Sequence, residues 1–160
     1  MATPEVRIVT LPAMRVASTY GFGAGPEGIA WEKMNAFLKQ SGVMKDGQAH
    51  RFFGFNNPSP APGSPNYGYE QWVTVGPDTP AQAEAKIKDF PGGLYAVMHC
   101  KLNVIGEAWQ QLVVWRENSP YRHGSHQWLE EGLSMPVLAD GAVDSDPDKL
   151  ELDLYLPIAQ

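Results

Sequence analysis

The segment Ala30-Trp31-Glu32-Lys33-Met34 has a counterpart in Ala108-Trp109-Gln110-Gln111-Leu112, at a constant offset of 78 residues. In a chain of 160 residues this repeat constrains the fold more than any other feature, because it makes each half a version of the other. Each segment follows a glycine, Gly28 or Gly106. Each runs to a serine followed by a helix stopper, Ser41-Gly42 or Ser119-Pro120. Trp31, Met34 and Leu38 recur at helical spacing, as do Ile105, Ala108, Trp109 and Leu112. The spacing predicts helices over residues 27–40 and 104–117.

The flanking segments read as strands: 6–11 and 14–20 around Pro12, then 51–55, 67–75, 84–88, 94–100, 127–133 and 150–156. Residues 21–25 and 137–149 read as loops. The proline-dense stretch 56–66 reads as the loop of a surface hairpin. Each predicted helix follows a strand and precedes two more. The chain is therefore expected to be one α+β domain over residues 1–160, built from two tandem pseudo-symmetric β-α-β-β repeats, about 4–80 and 81–160. The helices would cover the outer faces of antiparallel sheets. The uncovered faces would enclose a ligand cleft between the repeats.

Composition narrows the function. With 43% hydrophobic and 19% charged residues the chain is globular. It has no apolar run near the roughly 20 residues that cross a bilayer. Its N-terminus lacks the pattern of a signal peptide, so a cytoplasmic location is the expectation and no membrane partner is expected. The net charge of -6, with no Lys/Arg cluster and no helix-turn-helix segment, argues against direct nucleic-acid binding. Cys100 is the single cysteine and reads as a buried small hydrophobe. His123 and His126 form a weak metal pattern that reads better as loop histidines, so no metal and no cofactor are expected.

Two glutamates stand beside tryptophans. Strand alternation puts Glu70 and Trp72 on one face and Tyr67, Tyr69, Val73 and Val75 on the other. Likewise Trp128 and Glu130 share one face, and Leu129, Glu131 and Leu133 the other. Facing a cleft, each pair would offer a carboxylate and an indole to a cationic or amphipathic aromatic ligand. Facing solvent, each would be an ordinary sheet surface. Spacing alone leaves both open.

Several segments in order resemble the GyrI-like domain, the effector-binding domain of AraC- and MerR-type regulators. They are Ile8-Val9-Thr10-Leu11-Pro12-Ala13-Met14-Arg15-Val16, the Trp31 helix, Phe53-Gly54-Phe55-Asn56-Asn57-Pro58, Tyr67-Gly68-Tyr69-Glu70-Gln71-Trp72, Pro91-Gly92-Gly93-Leu94-Tyr95-Ala96-Val97, Leu129-Glu130 and Asp153-Leu154-Tyr155-Leu156-Pro157-Ile158. The chain departs from the family pattern at Glu130-Glu131-Gly132 and at Lys101-Leu102-Asn103. The resemblance implies a stand-alone member with an SHS2-type repeat pair and a small-molecule ligand between the repeats. By strand position it implies Glu130 as the main anionic determinant and Glu70 as its pseudo-symmetric counterpart. Trp72, Trp128, Tyr95, Tyr155, Trp31 and Trp109 would line or support the cleft. It also implies alternatives: a hydrolase opening cyclopropane-bearing genotoxins, in which Glu70 or Glu130 would position water or act as general acid/base, or a modulator that binds a partner protein. A homodimer stays open.

Overall fold

The computed structural model describes residues 5–133 and 135–160. Its strands are β1 (Arg7–Leu11), β2 (Met14–Gly23), β3 (Phe52–Asn56), β4 (Tyr67–Thr74), β5 (Lys86–Phe90), β6 (Gly93–Lys101), β7 (Arg122–His123), β8 (Leu129–Leu133) and β9 (Glu151–Ala159). Its helices are α1 (Pro26–Ser41) and α2 (Ile105–Glu117), with short 3-10 turns at Val43–Lys45 and Leu102–Val104. Pro26 opens α1 with its φ already helical. Gly42 closes it in the left-handed region, φ 69°, donating its N–H to Leu38 O at 3.1 Å.

All neighbouring strands pair antiparallel, in the order β1-β6-β9-β8-β3-β4-β2-β5, with β7 added against β9. The two halves, expected as separate sheets, join through β3 and β8 into one. At that seam Phe53 faces Glu131, residues related by the same offset of 78 that relates the helices, so a local twofold passes between them.

This order forces the sheet to curl. In a flat sheet six strand spacings of about 4.8 Å would hold β1 and β2 roughly 29 Å apart. Only Pro12 and Ala13 join them, a link that reaches about 11 Å at most. Pro91 and Gly92 set the same demand on β5 and β6. The curl brings the margins together around a cluster that includes Leu11, Phe53, Trp72, Phe90, Tyr95 and Tyr155. On the outer face α1 packs on Ala17, Phe52 and Val73, and α2 on Ala96, Met98 and Leu154.

Two local differences from the sequence reading have physical causes. Residues 21–23 continue β2 instead of forming a loop, because Gly21, Phe22 and Gly23 pair with Tyr69, Gly68 and Tyr67 of β4. Gly21 permits this, since a Cβ there would run into the backbone of α1 at Pro26. The fifth strand begins at Lys86, not Glu84, and extends to Phe90, where its pairing with Met14 of β2 ends.

Gly92 lies where the two margin links cross. Its φ is +82°, and a Cβ there would strike Leu11 O and the backbone of Pro12. Gly92→Ala is expected to lower stability in urea unfolding by about 1–3 kcal/mol, the scale of a left-handed residue with steric strain. Gly106→Ala, near the start of α2 with open space around it, should leave stability unchanged or raise it by up to about 1 kcal/mol.

Candidate functional site

The helix-free face of the sheet cannot hold the expected cleft, because the curl fills it with packed side chains. Trp72 meets Phe55 edge-on at 5.0 Å and Phe90 at 5.4 Å. Tyr95 and Tyr155 meet edge-on at 5.5 Å. The hydroxyl of Tyr95 donates to Gln127 O, and that of Tyr155 to Glu131 at 2.6 Å. Glu70 belongs to the same inner face and is buried. It accepts hydrogen bonds from Ser18 Oγ at 2.8 Å, Trp72 Nε1 at 2.6 Å, Lys88 Nζ at 2.7 Å and Asn57 Nδ2 at 3.3 Å. Burial opposes its charge, but the bonds from Lys88, Trp72 and Ser18 together outweigh burial and hold the carboxyl below its usual range. Glu70, Trp72, Tyr95 and Tyr155 therefore stand in the core of the curl, away from the pocket described next.

The open space lies on the outer face, between α1 and α2. A pocket of about 530 Å³ is lined by Trp31, Tyr69, Ile105, Trp109, Glu130 and Leu152, with Glu27 and Asn56 at its sides. A second lobe of about 430 Å³ shares Asn56, Trp109 and Glu130 and adds Phe55, Ser59 and Trp128. The indoles of Trp109 and Trp128 lie 5.4 Å apart, and His123 stacks on Trp128 at 5.7 Å. Trp31, Trp109, Trp128 and Glu130 are thus brought together. A separate hollow between β1 and α2 holds Arg7, but that guanidinium is already paired with Asp153 at 2.8 Å.

Glu130 is the unusual group. Its only hydrogen-bond donors among the described residues are Trp109 Nε1 and the Tyr69 hydroxyl, each at 3.4 Å, near the outer limit of a useful bond. Among the described residues no cation pairs with it. Burial pushes its carboxyl up to about 7; the bonds from Trp109 and Tyr69 pull it down and the nearby charge of Glu27 pushes it further up. Its strand neighbour Glu131 points to the inner face, where Arg51 holds it through two bonds of 2.7 and 2.9 Å.

The register also corrects the pairing of Glu130 with Glu70. The two lie on opposite faces of the sheet. Counted by the offset of 78, Glu130 corresponds to Phe52, as Trp109 does to Trp31. Each half keeps the same contact, a helix tryptophan against a residue of the middle strand: Trp31 on Phe52 at 5.7 Å, and Trp109 on Glu130. The carboxylate occurs on one side only.

Sequence reading missed Tyr69, Glu27 and Asn56. Tyr69 was legible as facing away from Glu70, but which face carries the pocket was not. The loop residues Ser145 and Pro147, which close one side of the pocket, left no periodic signal. His126 packs edge-on against Tyr95 at 4.7 Å and bonds Leu94 O, a packing role. Among the described residues no cluster of three or more His, Cys, Asp and Glu is arranged to hold a metal ion. No helix among them is long and apolar enough to cross a membrane.

No curated protein matches the chain. Solved structures of low identity share its fold. The C-terminal domain of EcmrR is 14% identical with a TM-score of 0.69, and 99% of each chain is covered. In the EcmrR–DNA complex the match takes in all of this chain but 59% of EcmrR, so the chain spans less than two thirds of that regulator's length. A hydrolase from Listeria innocua is 14% identical with a TM-score of 0.63, covering 99% of this chain and 94% of that one. SAV2435 bound to tetraphenylphosphonium is 10% identical with a TM-score of 0.57, covering 97% and 94%. A family model described as integron-associated effector binding protein matches residues 7–158, from the start of β1 almost to the end of β9. The chain therefore belongs to this family, Cass2, of GyrI-like effector-binding proteins.

Proposed function

We propose that the protein binds an organic cation bearing flat apolar groups in the cleft between α1 and α2, with Glu130 as the counterion. The observation that carries this is the unpaired carboxyl of Glu130 among Trp109, Tyr69 and Trp31. A carboxylate largely withdrawn from water and without a cation is costly. A ligand cation removes that cost and gains the π faces of the tryptophans, each worth about 0.5–2 kcal/mol. The tetraphenylphosphonium bound by SAV2435, a protein of the same fold, has this chemistry. Glu70 and Glu131 serve the fold in this reading, since each already has its own cation.

A second reading, hydrolysis in the same cleft, is favoured by one observation. A carboxyl titrating near neutrality suits a general base. Glu130 would take the proton of a water attacking a strained electrophile. Incubation with such an electrophile and mass analysis for an added water separates this from binding alone. Product formed by the parent and lost in Glu130→Gln would establish it.

The cation-binding reading makes a pH prediction. A cation binds the ionised form, and that form fills as pH rises through about 7. Affinity for tetraphenylphosphonium, followed by calorimetry, should rise about tenfold per pH unit below pH 7 and level off above it, because apparent affinity scales with the competent fraction. Glu130→Gln keeps the shape and removes the charge. It should weaken binding at pH 8 by roughly 1.5–3 kcal/mol, the scale of a charged hydrogen bond, and flatten the profile. A neutral ligand of similar outline should change far less. Equal losses for both would mean a packing effect.

Glu70→Gln should behave differently. It leaves Lys88 without its partner inside a satisfied network, at a cost of about 1–3 kcal/mol in unfolding, with ligand affinity of the folded protein nearly unchanged. Lost affinity at unchanged stability would place Glu70 in the binding site after all.

A further inference from the structure

Glu130 shares its pocket with a second carboxylate. Glu27, in the first turn of α1, lines the same space. An acid in a first helical turn is ordinarily explained by the helix dipole alone. Here the side chain turns instead toward the sheet, where its Oε1 accepts the hydroxyl of Tyr67 at 2.5 Å. Neither Oε2 nor Oε1 has a cation beside it among the described residues.

The arrangement repeats along one strand. Tyr67 and Tyr69 are alternate residues on the helix-bearing face of β4. Tyr67 donates to Glu27 and Tyr69 to Glu130. Both phenols are protonated donors, and burial raises them further: that of Tyr67 up to about 12, helped by its bond to Glu27, and that of Tyr69 well above its usual value. Two tyrosines whose backbone positions lie roughly 7 Å apart along the strand therefore hold two carboxylates of one aromatic pocket.

Resting on the cation-binding reading above, we infer that the cleft selects ligands with two cationic groups on a flat apolar scaffold, one group meeting Glu130 and the other Glu27. A monocation pairs one carboxylate and leaves the other without a counterion, whereas a dication pairs both. The charge of Glu27 adds to the rise of the Glu130 carboxyl, so the two acids oppose each other in the empty pocket. A ligand satisfying both removes that opposition. Trp31 of α1 and Trp109 of α2 stand on either side of the space as walls for a planar ring system. Tyr67 acts as a positioning residue, fixing where the second charge is met.

The test compares methyl viologen, a biaryl dication, with 1-methyl-4-phenylpyridinium, a monocation of the same outline, by calorimetry at one ionic strength and pH 8. The parent should prefer the dication by about tenfold or more, the scale of an added charged contact. Glu27→Gln should reduce that preference to about twofold. Glu32→Gln, an exposed acid on the same helix, removes one charge from the protein without touching the pocket and should keep the preference. Tyr67→Phe leaves the charge but frees its position, so the preference should shrink severalfold. It also serves as the test should Glu27→Gln fold poorly. A preference in the parent that survives both Glu27→Gln and Tyr67→Phe overturns the inference, as does monocation binding with no preference. These outcomes leave the Glu130 reading standing so long as Glu130→Gln weakens the monocation. Unchanged affinities in Glu130→Gln, or no binding of either probe to the parent, overturn both.

Discussion

Two links of two residues each decide this molecule. Pro12-Ala13 and Pro91-Gly92 join strands that stand six places apart in the sheet, and a flat sheet cannot satisfy either. The sheet must curl until its margins meet. The inner face then closes on its own side chains, with Leu11 and Phe90 from the two margins packed in the same cluster as Phe53 and Leu129 from the centre. Once the inner face is full, open space remains on the outer face. There α1 and α2 cover the two halves and leave the seam between them open.

Chemistry enters where the repeat is broken. Both halves place a helix tryptophan against the middle strand, but one meets Phe52 and the other Glu130. Two aromatic contacts would have made a second closed core. One phenyl and one carboxylate make an apolar wall facing an acid. Duplication supplies a symmetric frame, and a single departure from symmetry supplies polarity.

Four carboxylates near the middle of the sheet show how partners decide roles. Glu70 has Lys88, Glu131 has Arg51, and Asp153 has Arg7. Each is held by a cation at 2.7 or 2.8 Å, and each knits strands together. Glu130 has two long hydrogen bonds from neutral donors. Residue type is the same or nearly so in all four. What sets Glu130 apart is that no cation among the described residues lies within reach, and whether one does depends on other elements: β5 supplies it for Glu70 and β1 for Asp153.

The repeat, the two helices, all the strands but the short β7 and the hairpin loop were legible in the sequence, because helical spacing, strand alternation and glycine or proline stops are local properties. Alternation also sorted Glu130 from Glu131 and Glu70 from Tyr69 correctly. It could not say which sorted face would be buried by the curl and which would meet the helices. That choice placed Glu70, Trp72, Tyr95 and Tyr155 in the core, and Tyr69 and Glu27 beside Glu130 at the outer pocket. A period of two fixes which residues share a face. Only the closure of the sheet, set by two short links and the packing of its margins, fixes what that face looks onto.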